Sequence, residues 1–289
     1  MRVVHTKAAL VDALAPARRE HRTVGLVPTM GYLHGGHLAL LGAARERCDV
    51  VVMSLFVNPT QFAPGEDLDA YPRDAARDAV LAERAAVDVL YAPAVEEVYP
   101  EGYATWIEVG GGLTDVLEGA HDQRGPRHFR GVATVVAKLL NSVSPDVAFF
   151  GQKDAQQAVV VRRMARDLDF PVRIEVLPTV REPDGLAMSS RNAYLSATDR
   201  QRAAALSRAL RAAEAAAESG ETRPDAALEA AGAELKRAGV EPEYLEARDA
   251  ETLAPAESLN GRPVLVVVAA WIGRARLIDN LVIETRDWN

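Results

Sequence analysis

VGLVPTMGYLHGGHLALLGAARERC, residues Val24 to Cys48, is the stretch on which the reading of the chain turns. Val24–Val27 is a short apolar run suited to a buried strand, and Pro28-Thr29-Met30-Gly31 is turn chemistry. From His37 the pattern is helical, with Leu40, Leu41 and Ala44 on one face. The stretch reads as strand, loop and helix, with His34 and His37 at the helix mouth. Orphan backbone N–H groups and the positive end of the helix dipole favour a phosphate there. Gly35 and Gly36 let the backbone approach a ligand closely. Two other readings of His34-Gly-Gly-His37 compete with a phosphate site: a metal pair, and two structural histidines in a turn. Against the metal, zincins place histidines at i,i+4 around a glutamate, and no cysteine cluster supplies further ligands.

The rest of the sequence narrows the class. With 289 residues, 48% apolar and 26% charged, the chain is long enough for two domains. A net charge of −8 gives no global field for nucleic acid, so a polyanionic ligand must meet locally placed cations. The single Cys48 excludes an internal disulfide and a structural zinc cluster. Met1–Arg22 is polar and amphipathic with no signal-peptide core, and the longest apolar run, Val264–Ile272, is too short for a bilayer. A cytoplasmic protein without membrane or nucleic-acid partners is expected.

Along the chain, Thr6 caps an amphipathic helix towards Glu20, with Pro16 counting against its second half. Asp49–Val57 is a β-branched strand, and Asn58-Pro-Thr-Gln-Phe62 ends it. Pro72 opens a helix over Arg73–Ala86. Val87–Pro93 and Thr105–Val109 read as strands, Leu113–Glu118 as a short helix, and Gly110–Gly112 as a turn. His121–Arg130 is a basic loop. Gly131–Ser144 is a helix, Asp146–Phe150 a strand, Asp154–Leu168 a helix with an Ala158/Val161/Ala165/Leu168 stripe, and Val172–Pro178 a strand. This alternation predicts a parallel sheet with helices on both faces and ligands at the carboxyl ends of its strands. Beyond Thr179 the character changes. Val180–Leu195 is irregular, Ser196-Ala-Thr-Asp199 is a capping box opening a helix to about Ser219, and Pro224–Ala238 is a second helix. Glu243–Arg248, Pro263–Trp271 and Arg276–Glu284 suggest a small antiparallel sheet. The expected domains are 1–179 and 180–289.

Four further segments suit a phosphate-handling site. The uncharged amide of Gln61 follows a strand and fits the hydroxyl and carboxylate groups of a small acid. In Phe149-Phe-Gly-Gln-Lys-Asp154, Gly151 permits close approach, Lys153 offers a point charge to phosphates, and Asp154 can accept from ribose hydroxyls. Only four lysines accompany 29 arginines, which sets Lys153 apart from the chain's generic positive charge. Gln157 is spaced to share a helix face with Lys153 and Asp154. Met188-Ser-Ser-Arg191 offers hydroxyls and a guanidinium that fit phosphate oxygens.

PTMGYLHGGHLAL, FVNPTQF, YPRD, HFRGV, FFGQKDAQQ, PTVRE-DGLAMSSRN and RLIDNL, in this order from about residue 23 to 284, resemble the pantothenate synthetase (pantoate–β-alanine ligase) family of the H-x-G-H nucleotidyltransferase superfamily. The resemblance implies a Rossmann-like N-terminal domain, a smaller α+β C-terminal lid domain and a homodimer. It also implies a two-step, Mg²⁺-dependent reaction of ATP, pantoate and β-alanine through pantoyl adenylate, with AMP and pyrophosphate released. Carried over motif by motif, Met30, Gly31, Tyr32, Leu33, His34, Gly35, Gly36 and His37 line the ATP site with Gly151, Gln152, Lys153, Asp154, Val180, Met188, Ser189, Ser190 and Arg191. His34, His37, Lys153, Ser190 and Arg191 are the implied catalytic groups. Gln61 and Gln157 hold pantoate, Gln61 also meets β-alanine, and no protein-held metal is implied. Two departures stand out. The family's R-P-x-H-F is Arg124-Gly-Pro-Arg127-His128-Phe129, and its acidic residue before the lysine is Gln152, a mild change if that position serves through its backbone.

Overall fold

The apolar run at Val24 pairs in parallel with the run at Val50, and the main sheet grows outward from that pair. A computed structural model describes residues 1–63, 68, 69, 71–121 and 125–284. Two units are distinct in it, Met1–Gly151 with Val160–Pro178, and Gln152–Val159 with Thr179–Asn289.

In chain order the first series is β1 (Arg2–Val4), α1 (Lys7–Arg19), β2 (Val24–Thr29), α2 (Gly35–Arg47), β3 (Val50–Leu55), α3 (Ala75–Arg84), β4 (Val89–Tyr91), α4 (Val95–Val98), α5 (Glu118–His121), α6 (Gly125–Val143), β5 (Val147–Gly151), α7 (Ala155–Asp167) and β6 (Arg173–Leu177). Its strands form one parallel sheet in the order β1-β4-β3-β2-β5-β6. The order reverses at β2, the switch point at which doubly wound sheets bind ligands beyond their carboxyl ends. Val27, Val51, Met53 and Phe149 from the strands meet Leu33, Leu41 and Ala44 in a buried cluster. Each such aliphatic or aromatic side chain contributes roughly 1.5–3 kcal/mol when fully buried. The second series is α8 (Ala197–Glu218), α9 (Pro224–Arg237), β7 (Tyr244–Asp249), β8 (Val264–Ile272) and β9 (Ala275–Ile283). Its three strands are antiparallel in the order β7-β8-β9, and the alanines of α8 let that helix sit close to Val266, Val268 and Ile272. The molecule is thus an α/β protein with a Rossmann-like sheet and a separate small antiparallel sheet. No helix among the described residues is long and apolar enough to cross a membrane.

Several local expectations are corrected. β2 runs through Pro28 and Thr29, which pair with Ser54 and Leu55. Val24 turns its backbone groups towards β5, so by alternation Pro28 does too, and pairing with β5 has ended by Leu26. The missing proline N–H therefore interrupts no ladder bond. α1 continues through Pro16 because Leu10, Leu14 and Ala17 are buried, which outweighs an interior proline's cost of about 3 kcal/mol. Arg2–Val4 forms an edge strand that its polar flanks concealed. Thr105–Val109 joins no sheet; its Ile107 N–H donates instead to Thr134 Oγ1 at 3.0 Å. α3 begins at Ala75 rather than with Pro72 at its first position, and Asp74 caps it, accepting from the Arg77 N–H at 3.0 Å. The short helix lies at Glu118–His121 rather than Leu113–Glu118. Residues 125–130 of the expected basic loop are the first turns of α6, while Arg124 falls outside the described residues. Leu168 is 52% exposed and leaves the α7 stripe, whose other three members are buried.

Gly25 sits where β2 passes closest to Cys48. A Cβ there would lie 2.9 Å from Cys48 Sγ and 3.2 Å from Phe149 Cε2. Gly25→Ala should therefore lower stability by about 1–3 kcal/mol through overpacking, read as a lower urea midpoint with an unchanged slope.

Candidate active site

β2 delivers the chain to the sheet edge, and the loop after it must turn sharply into α2. Gly31 and Tyr32 do this with φ of 90° and 52°, both left-handed. The carboxylate of Asp78, on α3 and 1% exposed, accepts from the Tyr32 N–H at 2.7 Å and the Leu33 N–H at 2.8 Å. Arg77 adds a bond to Leu33 O at 3.0 Å and lies over the Tyr32 ring. A buried acid thus occupies the concavity that two successive left-handed residues create, a shape that otherwise favours anions.

α2 begins at Gly35, two residues earlier than its apolar pattern suggests, because both histidines cap it. His34 Nδ1 accepts from the Gly36 N–H at 3.2 Å, and His37 Nδ1 accepts from the His34 N–H at 3.3 Å. Their ring centroids are 4.1 Å apart. A ring that accepts at Nδ1 is neutral and carries its proton at Nε2. Each histidine is therefore structural at one nitrogen and a hydrogen-bond donor at the other. Gly36 makes room for this arrangement, since a Cβ there would come within 3.0 Å of His34 Cε1.

The turn Pro59–Gln61 carries Gln61, whose Nε2 lies 3.0 Å from Met30 Sδ and so beside the loop just described. Asn58, 1% exposed, donates to Gln61 Oε1 and Gly131 O, each at 3.1 Å, and accepts from the Tyr99 hydroxyl at 3.0 Å. Burial pushes the Tyr99 phenol up to about 12, against the smaller opposing effect of its hydrogen bonds, so it remains a donor. His128 meets Gln61 O at 2.7 Å, and a Cβ at Gly131 would strike Thr60 O at 2.6 Å. The H-F-R-G segment is therefore the dock on which the Gln61 turn rests; Arg127 is exposed on the first turn of α6.

In the second unit, Gln152–Asp154 is a 3₁₀ turn that places Lys153 Nζ 3.6 Å from Asp154 Oδ1. Lys153 and Asp154 precede α7 rather than lying on it, Gln157 is half-buried in its first turn, and Gln156 is buried. Gln152 acts through its side chain as well as its backbone: Nε2 donates to Asn280 Oδ1 at 3.1 Å. Val180–Met188 is a hairpin rather than irregular chain. Arg181 bridges to Ala187, Met188 N donates to Val180 O at 2.9 Å, and Gly185 turns with φ 87°. Arg200 braces its tip at Glu182 and Asp184. Ser189 then caps the turn Ser190–Tyr194 by accepting from the Arg191 N–H at 3.2 Å.

A doubly wound sheet thus feeds its switch-point strand into a histidine-capped helix, the arrangement of an α/β protein with a candidate ligand site at the carboxyl ends of its strands. The chain belongs to the pantoate-beta-alanine ligase family, whose sequence pattern matches residues 2–282. It is 52% identical over 288 residues to the pantothenate synthetase of Moorella thermoacetica, covering 99% of this chain and 100% of that one. The crystal structure of the pantothenate synthetase from Thermus thermophilus is similar with a TM-score of 0.92 and 50% identity, covering 98% of this chain and 100% of the other. The Francisella tularensis ligase, complexed with β,γ-ATP and β-alanine, gives a TM-score of 0.80 at 32% identity, with 99% of each chain covered. By family the chain is accordingly a ligase that joins pantoate to β-alanine.

Sequence reasoning missed Asp78, Tyr99 and Asn58 as supports, because an isolated acid, phenol or amide carries no signal until its partners are folded beside it. Asp78→Ala should strand two buried N–H groups and cost on the order of 3 kcal/mol, while Asp78→Asn, which keeps one acceptor, should lose less. Urea unfolding of the two variants checks the ranking.

Proposed function

We propose that the named residues carry out the ligation in two displacements. Pantoate, held by Gln61 and Gln157, attacks the α-phosphate of ATP to give pantoyl adenylate and pyrophosphate. The amine of β-alanine, received beside Gln61, then attacks the acyl carbon and releases AMP. The observation that carries this reading is the pair of capping histidines. With both Nδ1 atoms committed to backbone N–H groups, His34 and His37 present Nε2–H donors at the positive end of α2. They bear no charge in this state, so the cations are assigned to Lys153 and Arg191, with Ser189 and Ser190 as hydroxyl donors and Asp154 on the ribose. Met30–Leu33, Gly35, Gly36, Gly151, Gln152, Val180 and Met188 complete the nucleotide surroundings.

Among the described residues no group of three or more His, Cys, Asp or Glu side chains is placed to hold a metal. The proposal takes Mg²⁺ to arrive with the nucleotide, coordinated mainly by phosphate oxygens and water. The same proposal assigns ATP and pantoate to residues 1–179 and a lid role to 180–289. It also takes a homodimer as the working form and the cytoplasm as its compartment.

Two measurements test the reading. Labelled pyrophosphate should exchange into ATP with pantoate present and β-alanine absent, and AMP rather than ADP should accompany the amide once β-alanine is added. Exchange that strictly required β-alanine would replace the adenylate with another mechanism. His34→Asn should keep stability within about 0.5 kcal/mol, asparagine being a strong N-cap, yet lose exchange on the order of 10²–10³-fold. Wild-type exchange in this variant would make the histidines purely structural.

A further inference from the structure

Lys153 projects from a turn of only three residues, so whatever fixes that turn fixes the point from which its side chain starts. One buried amide does most of this. Asn280, on β9 and 4% exposed, donates from Nδ2 to Gln152 O and to Lys153 O, both at 2.9 Å. Its Oδ1 accepts from Gln152 Nε2 at 3.1 Å. Both amide hydrogens and the carbonyl are therefore spent on the two residues at and before the lysine. The residue before Asn280 serves the other phosphate-facing segment. Asp279, 2% exposed, receives Arg181 through two bonds of 2.7 and 3.0 Å. Arg181 in turn holds Gly185 O at 3.1 Å, within the hairpin that leads to Ser189–Arg191. The carboxylate also accepts the Asn280 N–H at 2.8 Å, which ties the two anchors together.

We propose that Asn280 is a positioning residue for Lys153, and that Asp279 does the same for the Ser189–Arg191 segment through Arg181. The adjacent pair sets two separate phosphate-binding segments against one strand. The inference rests on the reading that Lys153 binds phosphates. It accounts for an amide at 152: a carboxylate there could not donate to Asn280 Oδ1, and would draw the Nδ2 hydrogens away from the turn carbonyls.

The test is a double-mutant cycle on the full-length enzyme, read as pantoate-dependent pyrophosphate exchange. Asn280→Asp keeps the volume but puts an acceptor where both turn carbonyls need a donor. It should lower the maximal exchange rate about 10–100-fold, since displacement of a reacting group by about 1 Å costs on this scale, with a smaller change in the KM for ATP. In a Lys153→Ala background the same substitution should cost less than about twofold, because its effect travels through the missing ammonium. Asn280→Ser, which loses the reach but adds no charge, runs in parallel and decides the matter if the aspartate variant does not fold. Wild-type exchange in the folded variant overturns the proposal, as does an equal loss in both backgrounds, which would mark a general structural role. Near-normal exchange by Lys153→Ala alone would overturn the phosphate reading, and this inference with it.

Discussion

Two backbone N–H groups at the start of α2 end on imidazole nitrogens, and much else in the structure follows from that. The first turn of a helix has donors without intrahelical acceptors. Serine or aspartate satisfies them in most proteins, and here His34 and His37 do so reciprocally. The bond is modest in energy, yet it decides the tautomer of both rings. It also requires the preceding loop to arrive at a set angle, which is why Gly31 and Tyr32 are left-handed and why a buried acid on α3 reaches across to hold them. This geometry gives each histidine of the H-x-x-H spacing a structural task at Nδ1. Each Nδ1 is engaged by the backbone, and the cap and the donor are different atoms of one ring.

A similar economy shapes the Gln61 turn. Its amide is set by Asn58, Asn58 is set by Tyr99 and Gly131 O, and the absence of a side chain at Gly131 lets α6 approach the turn backbone. A side chain that meets a small acid in several orientations would discriminate poorly. For the role proposed for Gln61, locking the amide before the ligand arrives removes that ordering cost.

The sheet was legible because β-branched runs such as Val50-Val-Val and Val264-Leu-Val-Val-Val alternate with helices at the right intervals, and the switch-point loop was legible because its histidines and glycines are unusual. Elements held by tertiary contacts were not. Arg2–Val4 is too short to show a period, Pro28 reads as a breaker until the unpaired β5 side is known, and the hairpin at Val180–Met188 rests on Arg181, Asn192 and Arg200 rather than on strand propensity. The first turns of α6 were hidden by arginines, histidine and proline that belong to a helix N-terminus as readily as to a loop. Candidate site residues were visible as residue types, whereas the residues that hold them in place, such as Asn58 beside Gln61 and Asn280 beside Lys153, were not, because such support comes from pairs not joined by a local pattern.

One such pair has a consequence for the order in which the protein matures. The main sheet is complete in sequence at Leu177. The turn bearing Lys153 finds its anchor only in Asn280, 127 residues further on. A ribosome releases the chain from its N-terminus, so β1 to β6 and the histidine-capped helix are available for folding well before β9 exists. During that interval the nascent chain holds a finished helix cap and a Lys153 turn without its anchor. A chain that ends before β9 therefore keeps the histidine cap and lacks the amide that holds the turn at Lys153.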